Sequence, residues 1–204
     1  MAKIKICGLS RPIDIDIVNE ALPDYVGFVF AKSKRQVSTI LAAELKMRLN
    51  PDILAVGVFV NEEIEHIIQL CRTGTIDIVQ LHGDETKEYI HKLKASIMNP
   101  IIKAVRVRST EDIISASELS CDYLLLDAYR ENQYGGCGET FDWSTITQTG
   151  KPYFLAGGID IGNIMNAIVQ TNPYCIDVSS GVETDGWKDS KKIIEIVTKV
   201  RNAC

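Results

Sequence analysis

An α/β fold built from eight strand–helix units is what this sequence predicts, on three observations. Short β-rich runs alternate with longer amphipathic stretches from one end of the chain to the other. The units recur at roughly 20 to 30 residues, and no Pro/Gly/Ser-rich linker, charge block or change of composition interrupts them. The chain therefore reads as one domain over residues 1–204. Eight such units either close into a (β/α)8 TIM barrel or open into a doubly wound sheet, and periodicity alone does not separate the two. As a barrel it is a small one with minimal loops.

In order, strands are expected at Lys3 to Cys7, Tyr25 to Phe30, Ile53 to Phe59, Asp77 to Leu81, Ile101 to Val105, Tyr123 to Leu126, Tyr153 to Leu155 and Cys175 to Val178. Helices are expected over 12–21, 38–49, 62–72, 85–95, 110–118, 142–147, 161–170 and 189–202. Ser38, Asn61 followed by Glu62 and Glu63, Asp84 and Asp189 supply caps or early-turn carboxylates for four of them. Two connections are longer than a turn needs: Ala31 to Val37 after the second strand and Asp127 to Thr140 after the sixth. In a barrel both lie at the C-terminal face, where active sites are built.

Composition narrows the function. Of 204 residues, 46% are hydrophobic and 24% charged, which is ordinary globular usage and excludes disorder as the main state. No apolar run approaches the roughly 18 residues that cross a bilayer, and the first residues lack a signal peptide's apolar region. The expectation is a soluble, cytoplasmic protein. With 22 Lys and Arg against 27 Asp and Glu, the formal charge is −5, so there is no global footprint for nucleic acid or an anionic membrane. An anionic ligand must be held by a local device. The six cysteines are scattered without a C-x-x-C pair, which supports neither a disulfide framework nor a metal site and suits a reducing compartment.

Five local devices are candidates for chemistry. Cys7 ends the first strand ahead of Gly8, where a thiolate acts as base or nucleophile; the alternative is a small buried residue that fills a barrel layer. Strand parity puts Lys3, Lys5 and Cys7 on one face, so an inward Lys5 needs a carboxylate partner. Asp127 ends the apolar run Leu124-Leu125-Leu126, where a partly desolvated carboxyl keeps its proton and serves as general acid, or else caps a loop. Behind it, Gly135, Gly136 and Gly138 form a short glycine cluster, weak on its own as a phosphate cradle. Leu155-Ala156-Gly157-Gly158 and Asp177-Val178-Ser179-Ser180-Gly181 follow the seventh and eighth strands, the frequent phosphate site of such barrels. Arg35, in the basic loop after the second strand, presents a fork to a carboxylate, while Lys32 and Lys34 read as solvated. Gln80 and His82 end the fourth strand on one face, with His82 placed to hydrogen-bond in the mouth of the site.

Taken in order, Lys5-Ile6-Cys7-Gly8, Phe28-Val29-Phe30 with Ser33 and Arg35, Val56-Gly57-Val58-Phe59-Val60-Asn61, Gln80-Leu81-His82-Gly83 and Leu126-Asp127 resemble the phosphoribosylanthranilate isomerases. So do Gly135-Gly136-Cys137-Gly138, Phe141-Asp142-Trp143, Leu155-Ala156-Gly157-Gly158, Asp177 to Glu183 and Gly186-Trp187-Lys188-Asp189. Each motif is weak alone; the ordered set, spanning residues 5–189, is specific. The resemblance implies a ribulose-phosphate-binding (β/α)8 barrel, either monomer or homodimer. It also implies an Amadori rearrangement in tryptophan biosynthesis on a small phosphorylated substrate, with no metal or organic cofactor. By position it makes Cys7 the general base and Asp127 the general acid. Arg35 is assigned to the anthranilate carboxylate, His82 and Asp177 to substrate binding, and Gly157, Gly158, Ser180 and Gly181 to phosphate. Two positions depart from the family pattern. Lys34 replaces a proline that fixes φ, loosening the aim of Arg35, and Cys137 replaces a threonine with a poorer donor.

Other ribose-phosphate barrels share such phosphate loops but need different strand ends. Indole-glycerol phosphate synthases want lysine and glutamate in the mouth, and ribulose-phosphate epimerases want paired aspartates with metal-binding histidines. From a different class, a non-catalytic phosphate-binding barrel predicts binding without turnover and indifference to loss of Cys7.

Overall fold

The computed structural model describes residues 2–128, 142–146 and 149–203. The glycine cluster Gly135, Gly136 and Gly138, together with Cys137 and Phe141, lies outside the described residues.

The barrel closes. Strands β1 (Lys3–Cys7), β2 (Tyr25–Val29), β3 (Leu54–Phe59), β4 (Ile78–Leu81), β5 (Ile101–Val107), β6 (Tyr123–Ala128), β7 (Tyr153–Leu155) and β8 (Cys175–Val178) pair in chain order, and β8 returns to β1. Every barrel pairing is parallel, with Lys5 opposite Tyr25 on one side and Asp177 on the other. Helices α1 (Pro12–Ala21), α2 (Thr39–Arg48), α3 (Ile64–Arg72), α4 (Lys87–Ser96), α5 (Thr110–Ser117), α6 (Ile164–Thr171) and α7 (Ser190–Arg201) fill the connections. Strand ends fall within about two residues of the positions the sequence predicts.

The sixth helix is a correction. Of the span 142–147, the described part is a single 3₁₀ turn, Trp143–Thr145. Asp142 accepts from Ser144 N at 2.9 Å and Thr145 Oγ1 donates to Asp142 O, so short polar side chains satisfy the local backbone and Ile146 returns to extended geometry. Two caps are also corrected. Asn61 lies at φ +50° and accepts from Asp84 N at 2.9 Å, leaving Glu63 as a residue that flanks α3 without a side-chain cap. Thr86, not Asp84, caps α4 by accepting from Tyr89 N at 3.2 Å. Ser38 and Asp189 cap α2 and α7 as expected.

Alternation sorts the apolar residues into two bodies. Ile4, Ile6, Val26, Phe28, Phe59, Leu81, Leu124, Leu126 and Ile176 face outward into a large cluster beneath the helices. Tyr25, Val56, Ile78, Ile102, Leu125, Phe154 and Cys175 point inward and form a separate plug across the barrel. Each fully buried side chain of this size contributes about 1.5–3 kcal/mol. The plug fills the interior from the middle downward, and the polar residues gather at the upper ends of the strands, among a few small apolar ones.

Candidate active site

The last inward residues of six strands, Cys7, Val29, Val58, Gln80, Asp127 and Asp177, line one pocket together with Ala156, which follows β7. Its walls include Arg35, His82, Gly157, Gly158, Ser179 and Ser180. Of the nine residues to which the family resemblance gives a site role, Gly181 alone is not in the lining. A Cβ there would fall 2.0 Å from Ile159 O, so Gly181 lets the loops after β7 and β8 meet behind the wall.

Lys5 is fully buried, and its ammonium lies 3.0 Å from both oxygens of Asp177, the inward carboxylate that parity requires. Burial opposes the charge on Lys5, but Asp177 and Cys7 outweigh it and hold its pKa above the ordinary value. The Cys7 thiol sits one inward position higher, pressed against the backbone of Gly27, where any Cβ would come within 2.6 Å of Sγ. Burial pushes the thiol pKa up; Lys5 and Lys188 pull it down and Asp177 pushes against them.

Asp127 faces the same space from β6, three strands around the barrel, and is 4% exposed. Its Oδ1 accepts from Ala128 N at 2.9 Å, and its Oδ2 lies 3.3 Å from His82 Nε2. The Gln80 amide is 2.9 Å from His82 Nδ1; with that amide donating, the ring proton belongs on Nε2, toward Asp127. Neither His82 Nε2 nor Gln80 Oε1 has a hydrogen-bond partner among the described residues, so both retain polar capacity at the pocket. The turn carrying His82 is clamped from below. Buried Lys103 donates to Gly83 O at 2.7 Å and to Glu85 Oε2 at 2.8 Å, and Glu85 accepts from Asn61 N and Gly83 N.

Arg35 presents its fork to Glu183, Nε to Oε1 at 2.6 Å and a terminal nitrogen to Oε2 at 2.9 Å. Glu183 belongs to a small hairpin that lies outside the eight expected strands: β9 (Glu183–Thr184) pairs antiparallel with β10 (Trp187–Lys188). Asp185 at φ +52° and Gly186 at φ +81° form the two-residue turn, and an Asp-Gly step between short strands is the sequence signal that marks it. The register sets Lys188 opposite Glu183, and its ammonium donates to Oε1 at 2.9 Å and to Ser179 O at 2.9 Å. Burial raises the pKa of Glu183, but Arg35 and Lys188 overcome it and hold the carboxyl at about 2. Burial moves the Lys188 pKa below its ordinary value, with Glu183 opposing.

Two loops supply donors. Gly157 and Gly158 both have positive φ, +81° and +63°, and their amides, with that of Ser180, meet no acceptor among the described residues. Gly157 also abuts the acid: a Cβ there would lie 2.7 Å from Ala128 N and 3.0 Å from Asp127 Oδ1. Paired titratable groups of differing environment, an arginine fork and unpaired amides thus surround one cleft.

Residues 4–199 match the family model described as N-(5'phosphoribosyl)anthranilate (PRA) isomerase. The chain belongs to the phosphoribosylanthranilate isomerase family. It is 48% identical over 202 residues to the isomerase of Endomicrobium trichonymphae, covering 99% of this chain and 100% of that one. The isomerase structure from Thermotoga maritima superposes with a TM-score of 0.89 at 36% identity, covering 99% of this chain and 100% of that one. Another isomerase structure, in complex with reduced 1-(o-carboxyphenylamino)-1-deoxyribulose 5-phosphate, superposes with a TM-score of 0.86 at 35% identity and 99% and 100% coverage. Among the described residues no helix is long and apolar enough to cross a membrane.

Proposed function

We infer that this barrel isomerises N-(5′-phosphoribosyl)anthranilate to 1-(2-carboxyphenylamino)-1-deoxyribulose 5-phosphate, a step of tryptophan biosynthesis, by general acid–base catalysis within one substrate molecule. The observation that carries the reading is the convergence of Cys7 and Asp127, from β1 and β6, on a single pocket that also holds an arginine fork and glycine-rich amides. It is an aldose-to-ketose rearrangement, formally an intramolecular oxidoreduction: C1′ is reduced as C2′ is oxidised.

Asp127 donates its proton to the furanose ring oxygen as the anilino nitrogen's electron pair opens the C1′–O bond, giving a protonated Schiff base. Cys7, as thiolate, removes the C2′ proton, and the C–H electron pair moves toward the nitrogen to form the enolamine. Tautomerisation, in which the Cys7 thiol returns its proton to C1′ and the O2′ proton passes to Asp127, yields the aminoketone and restores both side chains. Only the substrate is consumed. His82, held through Nδ1 by Gln80 and with Nε2 3.3 Å from Asp127 Oδ2, stands beside the acid. Arg35, already aimed by Glu183, receives the anthranilate carboxylate, and Asp177 holds the sugar side of the pocket through its bond to Lys5. Gly157, Gly158 and Ser180 cradle phosphate through backbone donors, with Gly181 permitting their approach. Such a device suits a protein with net charge −5.

The test supplies freshly generated phosphoribosylanthranilate and follows the aminoketone by chromatography, with Asp127→Asn and Cys7→Ser alongside. Turnover by the wild-type protein and a loss of about 10²–10⁴ in kcat in each variant are expected, with binding of the reduced product analogue retained. Near-normal turnover in either variant removes that residue's role; binding without turnover by the wild-type protein leaves a non-catalytic barrel.

A further inference from the structure

The charges packed around Cys7 do not balance. Lys5 on β1 is paired by Asp177 on β8. On the other side, Arg35 from the loop after β2 and Lys188 on β10 share one carboxylate, Glu183 on β9. All five side chains are largely withdrawn from water: Lys5 is 0% exposed, Lys188 2%, Glu183 7%, Asp177 8% and Arg35 15%. On this side of the pocket three cations therefore meet two carboxylates, one positive charge in excess, with Asp127 standing across the pocket as the acid. Lys34 also approaches Glu183, at 3.6 Å, but its side chain is 63% exposed and solvent screens it. From β2 comes only Gly27, which packs its backbone on the sulfur and brings no charge. Asp127 and His82 face Cys7 across the pocket from β6 and the end of β4.

We propose that Lys188 is a positioning residue for the base: set opposite Glu183 by the Asp185-Gly186 turn, it supplies the uncompensated positive charge that the Cys7 thiolate completes. The proposal rests on the reading of Cys7 as the base. Its geometry is independent of that reading. Lys188 donates to Ser179 O, and Ser179 Oγ donates to Cys7 O at 3.1 Å, so the hairpin is braced against the backbone of the residue it charges. Arg35 has a ligand to bind in this reading and Lys5 has Asp177 to itself. Lys188 is the buried cation whose charge the substrate does not claim. The direction of its influence agrees, since Lys188 and Lys5 both favour the ionised thiol while burial disfavours it.

The experiment titrates the thiol itself. Protein labelled with ¹³Cβ-cysteine is followed by NMR against pH, with the Cys7 resonance assigned by its loss in Cys7→Ser. Lys188→Gln keeps a donor near Ser179 O and removes the charge; the Cys7 midpoint is expected to rise by about one pH unit. Glu183→Gln removes an anion from the same cluster, and the midpoint is expected to fall. Lys188→Arg, which keeps the charge, restores the wild-type midpoint. The acid limb of kcat/KM should move with the thiol in each variant.

Opposite shifts are what a merely structural disturbance does not produce. An unchanged Cys7 midpoint in folded Lys188→Gln overturns the proposal, as does a shift of the same sign in both variants. If Lys188→Gln does not fold, Glu183→Gln alone decides: a midpoint that stays or rises overturns it. Full activity in Cys7→Ser would remove the reading of Cys7 as base while leaving the titration to report on Lys188, so the two failures are distinguishable.

Discussion

At the N-terminal end of the barrel, Tyr25, Tyr123, Phe154 and Tyr174 pack with ring centroids 5.1 to 5.8 Å apart, and Lys3 lies over two of the rings. At the other end, Cys7, Lys5, Asp177, Arg35, Glu183, Lys188, His82 and Asp127 crowd the strand tips. One strand can serve both: β1 carries Lys3 into the aromatic end and Cys7 into the charged end, two pleats apart on the same face. Stability and chemistry are separated along the barrel axis. Aromatic burial with offset ring contacts is favourable without further partners, whereas buried charges are tolerated only where each finds a partner or a task.

The sharpest break between the ends is a reciprocal pair of substitutions. Phe154→Ala empties the centre of the plug and is expected to cost about 3–5 kcal/mol of unfolding free energy, read by urea denaturation. The kcat/KM of the folded fraction should stay within about twofold of wild type. Asp127→Asn should do the reverse, with the urea midpoint nearly unchanged and kcat collapsed. If Phe154→Ala cuts kcat as deeply as Asp127→Asn does, the two ends are not separate.

Within the charged end, Arg35 and the phosphate loops divide the substrate between them. Arg35→Ala is expected to raise KM about ten- to hundredfold, from a lost charge-assisted hydrogen bond. The inhibition constant of inorganic phosphate should change little. Equal loss of both would assign Arg35 to phosphate. Lys34 affects this through the loop: Lys34→Pro should lower KM if the wild-type loop pays for ordering Arg35. An unchanged KM would mean that the Glu183 fork already fixes the arginine.

How much of this was legible in the sequence depends on the range of the interaction. The strands were legible because a parallel barrel buries both faces, so each reads as a short apolar run, and their polar endings marked Cys7, Gln80, His82, Asp127 and Asp177. Lys5 announced its need for a carboxylate by parity, though not which one. What could not be read was pairing across the closure. Arg35 and Glu183 are 148 positions apart in the chain, and nothing local says that the fork has a standing partner. The Asp185-Gly186 turn was readable, but in a chain otherwise made of βα units it sat inside a motif rather than standing out as a hairpin. The 3₁₀ turn at Trp143–Thr145 replaced a helix because side-chain bonds closed it locally, a competition that apolar period does not report.

Acid titration separates the ends by a smaller effect. Glu183 is held at about 2 in the fold against an ordinary value of 4.5. A group whose folded pKa is depressed contributes stability that is fully present above its unfolded value and is lost as pH falls through the folded one. The loss attributable to Glu183 therefore belongs between pH 4.5 and about 2. The thermal midpoint of wild type should fall across that window more steeply than that of Glu183→Gln, which has no carboxyl to protonate. Parallel curves would mean that other carboxylates carry the acid sensitivity.

The smallest effect belongs to the aromatic end. Tyr25 OH lies 3.0 Å from Tyr174 OH and accepts from Lys3 Nζ at 3.2 Å, the polar seam of an otherwise apolar layer. Tyr25→Phe keeps the ring contacts with Phe154 and removes the hydroxyl, so the expected cost is about 0.5–1.5 kcal/mol, with kinetics unchanged. Tyr174 and Lys3 remain near the mouth of that end and turn to solvent, which keeps the figure low. A loss comparable with that of Phe154→Ala would show that the seam, rather than the ring packing, holds the N-terminal end closed. That end would then depend on its polar partners in the same way as the catalytic one.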